Sequence, residues 1–129
     1  MQTLIVSVAL LGLAFKPNTD DLRESIAIDF ARALLRQGVR VKAYDPVAMP
    51  VAQSLLPRLV YCSDAYLAAR GADALVVVTE WNQFRQLDLA RVKRLMRRPV
   101  IVDCRNIYDP TMVREHGFRY LGVGRGETE

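Results

Sequence analysis

Short apolar runs alternate along this chain with segments whose apolar residues recur every three or four positions. Residues 4–11 are an apolar run with the length and bulk of a buried strand. Residues 21–37 follow as an amphipathic helix, with Ile26, Phe30, Ala33 and Leu34 inside and Arg32 and Arg36 outside. Gly38 is placed to stop it. Residues 39–44 alternate as a short strand, 50–56 suit a short helix and 59–61 an edge strand. Residues 63–70 read as a helix with Ser63 near its N-cap and Gly71 after its end. Residues 73–79 read as a strand apolar on both faces, as parallel sheets require. Residues 80–84 then form a loop and 87–96 a helix with Leu89, Val92 and Leu95 inward. Residues 99–103 are another buried strand, 110–116 a short helix opened by Pro110, and 118–121 a last strand. This alternation predicts an α/β fold: a three-layer, doubly wound, mostly parallel sheet of five or six strands.

The length of 129 residues fits one domain, set at residues 1–122 with a flexible tail at 123–129. No apolar stretch reaches 18 residues, so no membrane span is expected. The opening residues lack a basic flank, and their apolar run passes into a strand–loop–helix pattern; they are read as core strand, not leader. The net charge is +4, and its densest cluster is Arg91, Lys93, Arg94, Arg97 and Arg98. Without interleaved aromatics for base stacking, that cluster reads as a solvated helix face and not a nucleic-acid patch. Cys62 and Cys104 stand far apart and His116 is the sole histidine, so neither a metal site nor a hydrolytic triad is indicated. No disulfide is implied, and a cytoplasmic setting is the default.

The chemistry gathers in residues 12–25, the loop from the first strand into the first helix. In an open α/β sheet such a loop lies at the carboxyl end of a strand, where ligands bind. Gly12 permits a sharp turn and close backbone approach. Lys16 is a compact cation held beside Pro17, and Thr19, Asp20 and Asp21 can cap the helix. Phe15, Arg23 and Glu24 add an aromatic and two charges. The G-x-G-x-x-G of a standard dinucleotide cradle is missing. Parallel strands point their carboxyl ends one way, so Lys16 and Arg23, Glu80 and Trp81, and Arg105 share one rim and make an anion site. Arg105 follows a strand directly. It offers a bidentate fork to a pyrophosphate, or else a salt bridge to Asp103 or Asp109. Asp45, after the second strand, either accepts from a ribose hydroxyl or starts a turn. Trp81 and Phe84 serve packing or ligand stacking.

Gly-Leu-Ala-Phe-Lys-Pro-Asn-Thr-Asp-Asp-Leu-Arg-Glu-Ser at 12–25 resembles the opening motif of the C-terminal domain of the UDP-glucose/GDP-mannose dehydrogenase family. Tyr44-Asp-Pro46, Thr79-Glu-Trp81 with Phe84, and Val102-Asp-Cys-Arg-Asn106 are similar to its later landmarks, in the same order. The resemblance implies a Rossmann-like domain that binds the UDP part of a nucleotide sugar. The family oxidises the sugar's C6 alcohol to a carboxylate, with two NAD per turnover and a cysteine nucleophile. By motif, Phe15, Lys16 and Arg105 match residues that contact the nucleotide sugar, and Arg23 matches an arginine that reaches NAD. The family's dinucleotide-binding and catalytic parts have no counterpart here, and neither Cys62 nor Cys104 sits in the catalytic motif. Both are read as structural.

The resemblance implies a UDP-sugar-binding domain of a UDP-glucose 6-dehydrogenase-like oxidoreductase. NAD is expected mainly on the missing N-terminal domain, and the isolated chain is expected to be inactive. The partner is that domain or a separate chain, with a homodimer as a further option. The alternative is an assembly module with little ligand affinity of its own.

Overall fold

The apolar run expected at residues 4–11 enters the sheet as β1 (Ser7–Leu11). The structure is a computed structural model describing residues 6–14, 16–23, 25–123 and 126–127, so residues 4 and 5 lie outside the described residues. On one side β1 pairs with β2 (Arg40–Tyr44), itself flanked by β3 (Val60–Tyr61). On its other side lie β4 (Ala74–Val77), β5 (Val100–Asp103) and β6 (Arg119–Gly122). These six strands are parallel. A two-residue β7 (Gly126–Glu127) adds antiparallel to β6, within the segment expected as tail. The sheet order is β3-β2-β1-β4-β5-β6-β7. Strand order therefore reverses between β1 and β4, which opens a crevice at their carboxyl ends.

Side chains alternate across the sheet with period two. On one face Val8, Leu10, Val41 and Val76 pack beneath α1 (Ile26–Arg36) and α2 (Met49–Leu55). On the other, Ala9, Leu11, Leu75 and Ile101 pack beneath α3 (Ala65–Ala69), α5 (Leu89–Leu95) and α6 (Pro110–Glu115). A short α4 (Asn82–Arg85) begins inside residues 80–84, expected as loop, and ends one residue beyond them. Its Phe84 is fully buried, and that burial folds the segment into a turn of helix.

Helix starts moved where side chains found other partners. α1 begins at Ile26 and not near Asp21. Thr19 and Asp21 accept from backbone N–H groups two residues on, at 3.1 and 3.0 Å, so they build the loop and do not cap the helix. α3 is capped by Asp64, which accepts from Leu67 N at 2.8 Å, and not by Ser63. Three of the basic residues at 91–98 find local partners: Arg91 lies over the Tyr66 ring, and Arg97 and Arg98 reach the buried Asp73 at 3.6 Å.

Gly12 has φ +97°, and a Cβ there would stand 2.3 Å from the Thr79 hydroxyl oxygen and 2.7 Å from its backbone nitrogen. Gly38 has φ +80° with open space around it. Gly38→Ala should therefore cost about 1–2 kcal/mol, from backbone strain alone. Gly12→Ala adds a clash with buried backbone and should cost about 2–4 kcal/mol. Urea unfolding of the two variants checks the order; equal losses would contradict the close approach.

Candidate functional site

The loop after β1 is held from beneath by polar groups at the ends of its neighbour strands. Gly12 N–H donates to the Tyr44 carbonyl at 2.9 Å. Leu13 N–H donates to Asp45 Oδ2 at 2.8 Å. The Thr79 hydroxyl donates to the Ala14 carbonyl at 2.8 Å, and the Ser25 hydroxyl donates to the Leu13 carbonyl. Asp45 and Thr79 are completely buried. The other Asp45 oxygen accepts from Val47 N at 2.9 Å and Ala48 N at 2.8 Å. One oxygen thus turns the chain into α2 and the other holds the β1 loop, and the turn reading holds over the ribose one. A buried carboxylate with three N–H donors is satisfied in place.

A second carboxylate shapes the loop after β5. Asp103 is fully buried; Oδ1 accepts from Arg105 N at 3.1 Å. Its Oδ2 accepts from Tyr108 N at 3.0 Å and from the Tyr120 hydroxyl at 2.9 Å. Arg105 is half-buried, and its Nε donates to the Val78 carbonyl at 3.1 Å. That bond carries the guanidinium across the end of β4 towards the β1 loop. Asn106, at φ +54°, then turns the chain away.

Two hollows connect these loops. Ala14, Ser25, Ala27, Val78, Cys104 and Arg105 line a cavity of about 70 Å³. Pro17, Asn18 and residues 80–83 line an open cleft of about 390 Å³. The exposed Lys16 lies in sequence between the two linings. The loops bearing Lys16 and Arg105 therefore stand on one edge of the sheet, as expected. Phe15 and Glu24 lie outside the described residues.

Arg23 points outward, its side chain 88% exposed, and grips Asp21 with Nη2 at 2.8 Å and Nε at 3.0 Å. Those bonds, with Arg23 N–H and the more distant Lys16, hold the Asp21 carboxyl down at about 2. Trp81 is half-buried against the core, and Phe84 meets Tyr44 edge-on at 6.1 Å between centroids. Phe84 is a packing residue, whereas Trp81 packs on the core and also lines the open cleft. Burial pushes the Cys62 and Cys104 thiols up, and Asp103 adds to the shift at Cys104. Neither is a ready thiolate.

Sequence reading did not single out Ser25 or Thr79 as loop clamps, nor Asp103 as an organiser. For Thr79 and Asp103 the usable signal was there: a lone polar residue at or just past the end of an apolar strand run.

A switch-point crevice with cations on its crossover loops defines a Rossmann-like ligand-binding domain. Residues 9–110 match the family model for the UDP-glucose/GDP-mannose dehydrogenase family, UDP binding domain. The chain belongs to this family. It is 52% identical over 118 residues to UDP-glucose 6-dehydrogenase of Rhizobium meliloti, covering 92% of this chain and 27% of that enzyme. The Pseudomonas aeruginosa UDP-glucose 6-dehydrogenase is 51% identical over 125 residues, covering 92% and 28%. A UDP-glucose dehydrogenase structure from the archaeon Pyrobaculum islandicum superposes with a TM-score of 0.76 at 38% identity, covering 92% of this chain and 25% of that one. The chain thus spans about a quarter of the length of the relatives it matches.

Asp45→Ala would orphan three backbone N–H groups and should destabilise by about 3 kcal/mol or more. Asp45→Asn keeps one acceptor oxygen and should lose less, as thermal melts of both variants would show. The raised thiols should make iodoacetamide alkylation slower than for free cysteine at pH 7, rising about tenfold per pH unit with the thiolate fraction.

Proposed function

We propose that the chain grips the diphosphate of a UDP-sugar at the carboxyl edge of its sheet, as the UDP-binding part of an enzyme that oxidises UDP-glucose to UDP-glucuronate with NAD. The observation carrying this reading is the braced pair of loops after β1 and β5, which presents Lys16 and Arg105 along one edge. The Nε bond to the Val78 carbonyl holds the guanidinium plane in place at this edge, and a planar guanidinium matches phosphate oxygens in geometry. Lys16 adds a point charge, and Phe15 supplies an aromatic contact to the nucleotide sugar. Preset loops reduce the ordering cost of binding.

NAD supplies hydride acceptance when bound, and the residues here fit only its margin. The Gly12 and Leu13 N–H groups are already bonded to Tyr44 and Asp45, so this loop offers no pyrophosphate cradle of its own. Arg23, which matches the family's NAD-reaching arginine, stands outward. Its pair with Asp21 is solvent-exposed, and exchanging that partner for a cofactor phosphate costs little. NAD is therefore held mainly by a separate N-terminal domain, and the isolated chain binds without catalysing.

Titration calorimetry with UDP, UDP-glucose and NAD tests the reading. UDP and UDP-glucose should bind and NAD should not. Lys16→Ala and Arg105→Ala should each weaken UDP by about 1.5–3 kcal/mol, roughly 10- to 150-fold, as loss of a charge-assisted contact does. Binding of NAD without UDP, or full UDP affinity in both variants, would contradict it.

A further inference from the structure

Parallel sheets are covered on both faces. Here one face carries α3, α4, α5 and α6, while among the described residues the other carries α1 and α2. The strand register shows where the cover stops. Ala43, Leu10, Val76, Val102 and Leu121 form one row across β2, β1, β4, β5 and β6. Ala43 and Leu10 are 0% exposed and Val76 3%, whereas Val102 and Leu121 are partly exposed. The neighbouring row repeats the gradient: Val41 and Val8 are buried, and Ala74 is partly exposed. Val100, two residues before Val102 and on the same face, is also partly exposed.

Strands about 4.8 Å apart leave a strip about 10 Å wide from β4 to β6, the width of one α-helix. The strip runs into the candidate site. Cys104, two residues beyond Val102, lines the small cavity with Arg105 and with Ile26, a residue 72% exposed although the sequence pattern places it inside. The relatives have about three further quarters of polypeptide from which a cover can come.

We propose that this strip receives an amphipathic helix from the rest of the dehydrogenase polypeptide, its apolar stripe on Val102 and Leu121 and one end walling the nucleotide site beside Ile26. The inference rests on the dehydrogenase reading above. It deepens that reading by making the same surface join the halves and close the site.

The test pairs the isolated chain with a chimera in which this chain replaces the matching quarter of the Rhizobium meliloti relative. Both carry Val102→Thr with Leu121→Lys, residues outside the diphosphate grip. The isolated variant should melt within about 3 °C of its parent, while the chimera should lose about 8 °C or more. Equal losses would overturn the proposal, because the face would then be closed within the chain. So would an indifferent chimera, whose face nothing covers. Self-association of the isolated chain that the substitutions abolish would also overturn it, by giving the face to a second copy. Independently of the chimera, the isolated chain should enhance 1-anilinonaphthalene-8-sulfonate fluorescence and the variant should lose at least about half of it; no enhancement by the parent overturns the open face. UDP titration of the isolated variant should be unchanged, so a failure of docking and a failure of nucleotide binding read out separately.

Discussion

Buried polar side chains at the carboxyl ends of the strands hold this structure's working edge in place. Asp45, Thr79 and Asp103 are each completely buried, and each fixes backbone that the sheet's own ladder cannot reach. A buried carboxylate is unfavourable unless its oxygens are satisfied. Here the satisfying donors are N–H groups of the crossover loops and, at Asp103, the Tyr120 hydroxyl, so folding the core and shaping the ligand edge are one event. Gly12 belongs to the same device: its missing Cβ is what lets the β1 loop lie against Thr79.

This bracing separates two kinds of residue on one edge. Asp45, Thr79, Ser25 and Asp103 face inward and position. Lys16 and Arg23 are exposed and Arg105 half-buried, with cationic groups at the ends of loops that are already set. Such a division suits recognition of a charged ligand, since rigid loops lose little freedom when the ligand arrives. The two thiols of this chain are raised by burial and are not poised as nucleophiles.

The fold was readable from periodicity because a parallel sheet buried on both faces writes long apolar runs, as at 73–79 and 99–103. Helix starts were less legible. Ser25, Thr19 and Asp21 all have capping chemistry, and periodicity does not reveal that the first bonds the Leu13 carbonyl while the others close local turns. The common rim of Lys16 and Arg105 followed from topology alone. What lay beyond sequence was the bracing itself, since the bond from Asp45 to Leu13 spans 32 residues and that from Thr79 to Ala14 spans 65. The partial exposure of Val100, Val102 and Leu121 was hidden for a related reason: these positions read like any core strand until the register shows which of the described helices lie above them.

Amide chemical-shift mapping with UDP tests the central claim most directly. The account predicts that the largest perturbations fall on Leu13, Ala14, Lys16, Cys104 and Arg105, with the amino-end residues Val39 and Gly71 unmoved. Perturbations centred instead on the groove lined by Arg32, Arg36 and Arg58 between α1 and α2 would contradict it.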